Sequence, residues 1–286
     1  MLMKALAEKT ILITGATAGI GLATVQALCA RGAQVLGVGR SAERCAQAEA
    51  QVRAVCPQAR VRYYLADLSS QRQVRQLAAK VQADVPGGVL DVLVNNAGAV
   101  ATQRTLTEDG YELQFAVNHL APFLLSNLLL PALQRSGAGR VLTVSSASHR
   151  WMGMIWGDVM LQRWYHSLLA YKQSKLANVL FTVEFNRRFA GQGVRAFAVD
   201  PGLVNTEIGL KGMRGLERWF WEQRRKGGTP PEQPARTLVY LAEAQDVEPA
   251  PYWKDCKPLR PSPYALRPEA GARLWALSAQ LCGLRH

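Results

Sequence analysis

Long apolar runs are missing from this 286-residue chain. None reaches the roughly 20 residues that a membrane-spanning helix needs, which excludes a helical membrane protein. Cysteine is sparse. The five present (Cys29, Cys45, Cys56, Cys256, Cys282) show no C-x-x-C spacing and no neighbouring histidine pattern. That excludes a zinc site or a thioredoxin-like motif, so no metal is expected and the thiols read as reduced and structural. No linker-like stretch divides the chain, and a single domain over residues 1–286 is expected. The first expected strand begins near Lys9, leaving no room ahead of it for a signal peptide, and the expected location is cytoplasmic.

Acidic residues are outnumbered, 21 Asp and Glu against 34 Lys and Arg, for a net charge of +13. Such a charge suits nucleic acid, an anionic membrane surface or an anionic small ligand such as a phosphorylated cofactor. The basic residues are spread along the chain with modest clusters at Arg187-Arg188, Arg224-Arg225-Lys226 and Lys254 to Arg267. They lack the interleaved aromatics of a single-strand binding platform, and no nucleic-acid partner is expected.

What is present is an alternation of short β-branched runs with longer stretches of helical period. Repeated βαβ units follow, and with them a doubly wound α/β fold: a parallel sheet covered by helices on both faces. The expected strands are Thr10 to Thr14, Gln34 to Val38, Arg60 to Ala66, Leu90 to Asn95, Arg140 to Ser145, Val194 to Val199 and a short one near Tyr252. The expected helices are Gly19 to Arg31, Ala42 to Val55, Ser70 to Asp84, Glu108 to Arg135, Ala170 to Phe189, Glu232 to Ala244 and Pro268 to Cys282. Two stretches fit the alternation badly, Ala147 to Leu169 and Asn205 to Gly228, both rich in Trp, Met and Arg.

The run Thr14-Gly15-Ala16-Thr17-Ala18-Gly19-Ile20-Gly21 follows the first strand and opens the first helix. Glycine lets backbone approach a ligand closely, and a helix N-terminus offers free N–H groups and partial positive charge, so the run reads as a pyrophosphate site. Arg40 ends the second strand, where an acidic residue would bind ribose hydroxyls and an arginine accommodates a 2′-phosphate. NADP(H) is therefore expected over NAD(H), with Arg44 one helical turn later as a second candidate contact.

Tyr171 and Lys175 lie four apart on an expected helix, which puts both side chains on one face. A phenol of ordinary pKa near 10 is a poor base at neutral pH, and a neighbouring ammonium favours its phenolate. Such a pair can take a proton from an alcohol or give one to a carbonyl. Ser145-Ser146 ends the strand before that helix, and Ser146 is the expected hydroxyl to bond the reacting oxygen. Asn118 is a polar residue amid Val117 and Leu120, suited either to holding a water in a proton relay or to a structural amide role.

With these residues assembled, the chain resembles the short-chain dehydrogenase/reductase superfamily from Thr10 almost to its end. The motifs stand in order: T-G-x-x-x-G-x-G at Thr14 to Gly21, Asp67-Leu68, N-N-A-G at Asn95 to Gly98, Asn118, Ser146, Y-x-x-x-K at Tyr171 to Lys175, and P-G-x-x-x-T at Pro201 to Thr206. Within it the chain is similar to the retinol dehydrogenase-like group at Asn118-His119-Leu120, at Tyr171 to Asn178, at Thr229-Pro230-Pro231-Glu232-Gln233, at Asp255-Cys256-Lys257 and at Leu274-Trp275. The resemblance implies a Rossmann fold with seven parallel strands in the order 3-2-1-4-5-6-7, and a catalytic tetrad of Asn118, Ser146, Tyr171 and Lys175. It also implies cofactor contacts from Gly15, Thr17, Ala18, Gly19, Ile20, Gly21, Arg40, Asp67, Leu68, Asn95, Ala97, Gly98, Tyr171, Lys175, Pro201, Gly202, Val204 and Thr206. A homodimer or homotetramer through helices equivalent to Glu108–Arg135 and Ala170–Phe189 is open.

Two departures from the group stand out. The N-terminal membrane anchor common among animal members is not seen, and Asp200 precedes Pro201-Gly202 where the group often has histidine. The substrate-side segments, about 147–169 and 205–228, carry Trp151, Met152, Met154, Trp156, Met160, Trp164 and Tyr165, then Leu210, Met213, Leu216, Trp219, Phe220 and Trp221 among arginines. They suit an apolar pocket for a retinoid-, steroid- or long-chain-aldehyde-like molecule. They equally suit core or interface packing, and the Trp219 stretch also suits peripheral membrane contact. Two further readings remain: a catalytically silent NADP(H)-binding regulator, and a basic nucleic-acid or membrane-surface binder.

Overall fold

The structure is a computed structural model that describes residues 4–204 and 228–284. Strand β1 (Thr10–Thr14) is followed by α1 (Gly19–Cys29), β2 (Gln34–Gly39), α2 (Ala42–Val55), β3 (Arg60–Leu65), α3 (Gln71–Asp84) and β4 (Val92–Asn95). Next come α4 (Leu113–Phe115), a π-helical turn at Ala116–Leu120, α5 (Ala121–Leu128), α6 (Leu130–Arg135) and β5 (Gly139–Val144). The described chain is completed by α7 (Ser167–Phe189), β6 (Val194–Val199), α8 (Glu232–Glu243), β7 (Tyr252–Lys254), β8 (Lys257–Pro258) and α9 (Pro268–Leu281).

Every residue of β1, β4 and β5 is buried, as a parallel sheet covered on both faces requires. Successive strand residues point to opposite faces: Leu12 joins one core with α3, α5, α7 and α9, while Ile11 and Ile13 join the other with α1 and α8. Helices α2 and α3 begin on Ser41 and Ser70, whose hydroxyls accept from Arg44 N and Gln73 N. The strand order is β3-β2-β1-β4-β5-β6-β7-β8. The crossing from β3 past β1 to β4 creates the switch point at which such sheets bind ligands, beyond the carboxyl ends of the strands.

The sheet has eight strands where seven were expected. The added strand is two residues long, one of them proline, and pairs antiparallel with β7. Asp255 and Cys256 make the two-residue turn between them, both at positive φ (49° and 59°), as a tight hairpin of this twist demands. The expected helix from Glu108 to Arg135 is broken. Gly110 turns at φ 80°, Glu112 pairs with Leu106 and then caps α4, and Leu129 (ψ −2°) interrupts the helix ahead of Pro131. The last long helix before β6 starts at Ser167, three residues earlier than its apolar pattern suggests.

Helix α9 lies along α7. Trp275 stacks on Phe181 (5.9 Å, 14°), meets Phe123 edge-on at 4.9 Å, and has the Arg188 guanidinium 4.5 Å from its ring. His119 bonds Ser278 across 2.8 Å. Part of the surface to which the resemblance assigns subunit pairing is thus occupied by the chain's own C-terminal helix.

Candidate active site

Parallel register levels the ends of the central strands: Ile13 pairs with Val94, Asn95 with Thr143 and Val144 with Val199. The loops leaving β1, β4, β5 and β6 therefore share one edge.

The glycine-rich run makes the first wall. Gly15 (φ 64°) and Gly19 (φ 53°) turn the chain into α1. A Cβ on Gly21 would stand 2.1 Å from the Gly15 carbonyl oxygen, so only glycine fits there. Ala18 is the N-cap residue of α1 and has no side chain with which to cap it. The turn is held from behind by Tyr63, whose hydroxyl donates to Ala16 O (3.0 Å), and from the side by Asn96, whose Nδ2 donates to Thr14 O (2.9 Å) and Gly15 O (3.1 Å). Tyr63 was not singled out from sequence, and Asn96 entered only as part of the N-N-A-G run. The first asparagine of the N-N-A-G run behaves differently: Asn95 is buried and its Nδ2 donates to Ser126 Oγ (3.1 Å), so its side chain faces the interior. Ala97 N bonds Thr14 Oγ1, and Ala97 and Gly98 are half-buried beside the turn.

Arg40 is exposed just past β2, and Arg44 is exposed on the first turn of α2. Asp67 and Leu68 are half-buried beyond β3, with Asp67 Oδ1 accepting from Ser69 N and Oγ. Pro201, Gly202 and Val204 follow β6 and are half-buried, and Val204 bridges to Thr229. Thr206 and the aromatic and arginine segment of residues 205–227 lie outside the described residues.

Tyr171 and Lys175 share a face of α7, with Lys175 Nζ 5.6 Å from the centroid of the Tyr171 ring. Lys175 is buried, its Nζ donates to Val144 O (3.0 Å), and burial pushes its ammonium down to about 8. The two serines after β5 separate cleanly. Ser145 is fully buried and its Oγ donates to Lys175 O (2.8 Å), which anchors α7 to the sheet. Ser146 is half-buried, and its Oγ accepts from Ser148 N (3.3 Å), an arrangement that leaves the hydroxyl proton for an oxygen in the cleft.

Asn118 sits in the π-helical turn, the local irregularity that aims its side chain across to α7. Its Nδ2 donates to Ala99 O and Ser174 Oγ, both at 3.0 Å, and its Oδ1 accepts from Ala99 N at 2.7 Å. Ser174 Oγ in turn donates to Tyr171 O (2.8 Å). Both amide protons of Asn118 are committed to protein acceptors. Sequence reading also passed over Glu112, a buried carboxylate whose pKa burial raises and which caps α4 through Gln114 N (3.0 Å) and Phe115 N (2.7 Å). The Tyr165 hydroxyl donates to it, and Gln114 Nε2 donates to Ser167 O, tying the end of the 147–166 segment and the start of α7 to α4. An acidic residue placed just before a helix was the available signal.

Within that segment the aromatic residues divide. Met154 is buried, Trp156 and Met160 pack on the core, and Trp156 Nε1 donates to Tyr264 OH (3.0 Å). Trp151 and Trp164 are 79% and 65% exposed, which removes them from the core-packing reading. The cysteines are free, and no group of metal-ligating side chains and no membrane-crossing helix occurs among the described residues.

The family model described as short chain dehydrogenase matches residues 9–213. The chain is similar to retinol dehydrogenase 13 of Homo sapiens, 38% identical over 287 residues that span 96% of this chain and 85% of that one. Among solved structures it is similar to an uncharacterized protein from Mycobacterium Paratuberculosis (33% identity, TM-score 0.77, covering 99% of this chain and 96% of that one). A second is a protein from Beutenbergia cavernae described as an NAD(P) dependent gluconate 5-dehydrogenase, with bound NADP at low occupancy (26% identity, TM-score 0.67, covering 84% and 91%).

Proposed function

The chain belongs to the short chain dehydrogenase family, retinol dehydrogenase-like within it, and we propose that it interconverts an alcohol and a carbonyl on an apolar substrate, using NADP(H) in preference to NAD(H). The observation that carries this reading is the Tyr171–Lys175 pair on one face of α7, at the edge where the glycine-rich turn and Ser146 also stand. Tyr171 is the proton donor to a carbonyl or acceptor from an alcohol. Lys175 favours its phenolate, Ser146 donates to the reacting oxygen, and Asn118 positions the Tyr171 turn through Ser174.

The residues present fit a dinucleotide: Gly21 packs so closely on Gly15 that any Cβ at position 21 would strike the Gly15 carbonyl oxygen, which keeps the turn tight, and the amides opening α1 have no side-chain cap. Bound there, the cofactor supplies the hydride donor or acceptor. Gly15, Thr17, Ala18, Gly19, Ile20 and Gly21 would hold its pyrophosphate, Arg40 a 2′-phosphate, Asp67 and Leu68 the adenine side, and Pro201, Gly202 and Val204 the nicotinamide side. Asn95 would contribute backbone only, because its side chain is engaged with Ser126. A solved relative with NADP bound supports the phosphorylated cofactor. A retinoid-, steroid- or long-chain-aldehyde-like substrate suits the apolar character of the segment before α7, where Met152 and Met160 are only partly buried and Trp151 is exposed.

The test is Tyr171→Phe, measured by NADPH fluorescence titration and by turnover on retinal, steroid ketones and aliphatic aldehydes. Turnover by the wild type that disappears in the variant, with NADPH affinity kept within about twofold, supports the assignment. Equal turnover in both proteins would overturn it.

A further inference from the structure

Asp200 directly follows β6, ahead of Pro201-Gly202, and is buried. Both of its carboxylate oxygens are engaged: Oδ1 accepts from Gly202 N (3.0 Å) and Oδ2 from the Tyr252 hydroxyl (2.9 Å). Gly202 has φ 70°, a conformation that glycine adopts without strain, so Oδ1 pins the residue at which the chain turns away from the sheet. Tyr252 lies on β7 opposite Ala198 and is fully buried. No ion pair to Asp200 occurs among the described residues. A buried carboxylate held by one hydroxyl and one amide is an expensive way to fill space, and that cost argues for a directional role.

The Tyr252 ring carries the connection further. His149 packs against it, centroids 4.8 Å apart, and the Arg150 guanidinium lies 5.6 Å from it. His149 Nε2 accepts from Ser262 N (3.1 Å), which puts the proton of the neutral ring on Nδ1, and Nδ1 donates to Ser146 O (2.8 Å). Burial holds the imidazole below its ordinary pKa and preserves that neutral form. A buried line of three side chains thus runs from the Gly202 amide to the Ser146 carbonyl.

We propose that Asp200, Tyr252 and His149 form a positioning brace that sets the Pro201–Val204 turn relative to Ser146 and so determines how firmly the nicotinamide end of the cofactor is held. The proposal rests on the cofactor reading above. Burial raises the Tyr252 phenol, and the Asp200 carboxylate and then the nearby Tyr171 phenol add to the rise, so Tyr252 stays protonated as the donor to Asp200. It therefore does not compete with Tyr171 for the proton exchanged with substrate.

The experiment is a double-mutant cycle on the full chain with Asp200→Asn, Tyr252→Phe and the pair. Each protein is titrated with NADPH and, separately, with 2′,5′-ADP, which has the 2′-phosphate and adenosine but no nicotinamide. The expected result is NADPH binding about 5- to 20-fold weaker in each single variant and no more than about twofold weaker again in the double, with 2′,5′-ADP affinity unchanged within about twofold. Tyr252→Phe removes one oxygen and keeps the ring against His149, so it decides the matter alone where Asp200→Asn does not fold. Unchanged NADPH affinity in folded Tyr252→Phe overturns the brace, as does equal weakening toward both probes. A wild type that binds 2′,5′-ADP but gains nothing from the nicotinamide half overturns the brace and leaves the cofactor site standing. A wild type that binds neither probe overturns both.

Discussion

Lys175 Nζ donates to the Val144 carbonyl across 3.0 Å, and both residues are buried at the point where β5 gives way to Ser145 and Ser146. The ammonium is held against the sheet with its pKa pushed down to about 8 by desolvation, from 10.5. In the carbonyl reduction proposed above, Tyr171 would give up its proton and become a phenolate that the Lys175 charge stabilises. That help is lost as pH rises through about 8, so kcat/KM for reduction is expected to fall above that pH. A pH–rate profile that stays level to pH 9.5 would refute this. Stability runs the other way: between about 8 and 10.5 the unfolded chain holds a proton that folded Lys175 has released, so this residue's contribution to stability rises with pH in that window.

Ser145 and Ser146 are neighbours with different work, and alanine substitutions separate them. Ser146→Ala is expected to lower kcat by about 10²–10³, the usual cost of one lost donor to a reacting oxygen, with little change in melting temperature. Ser145→Ala removes the bond to Lys175 O and leaves a buried carbonyl without that donor, which costs about 1–3 kcal/mol of stability. Urea unfolding alongside single-turnover kinetics distinguishes the two.

Arg40 is exposed just past β2, where the proposed function has it bind the 2′-phosphate. Arg40→Asp is expected to weaken NADPH by at least about tenfold, roughly the 1.4 kcal/mol of one decade in a binding constant, and to leave NADH equal or improved. Fluorescence titrations with both cofactors check this, and equal weakening toward both would remove Arg40 from the preference. The same titrations on Arg44→Ala rank the two arginines.

Trp275 binds α9 to Phe123 and Phe181, so Trp275→Ala is expected to cost about 3–5 kcal/mol, read as a lower urea midpoint. A loss under about 1 kcal/mol would mean that α9 is not held by this cluster. His119 adds a pH dependence to the same contact: burial pushes its imidazole down to about 3, so stability present above about pH 6.5 is lost as pH falls toward 3. His119→Gln, which can keep a bond to Ser278 without titrating, is expected to flatten the urea midpoint between pH 7 and 5.

Local pattern in the sequence determined a great deal about this protein. Seven of the strands, the glycine spacing that opens α1, and the four-residue step from Tyr171 to Lys175 were all legible, because strand alternation, helix starts and helix faces depend on near neighbours in the chain. Tertiary structure decided which way each functional side chain faces. Asn95 and Asn96 are adjacent, yet only the alignment of β4 between β1 and β5 turns one toward Ser126 and the other onto the glycine-rich turn. The same holds for Ser145 and Ser146, and for the division of the 147–169 aromatics between core and surface. The bonds that join Glu112 and Gln114 to Tyr165, about fifty residues away, were likewise outside any window of local period. Asp200 shows the difference most plainly: as a letter it was an unexplained departure, and its meaning came only when β7 brought Tyr252, fifty-two positions later, to within 2.9 Å of its carboxylate.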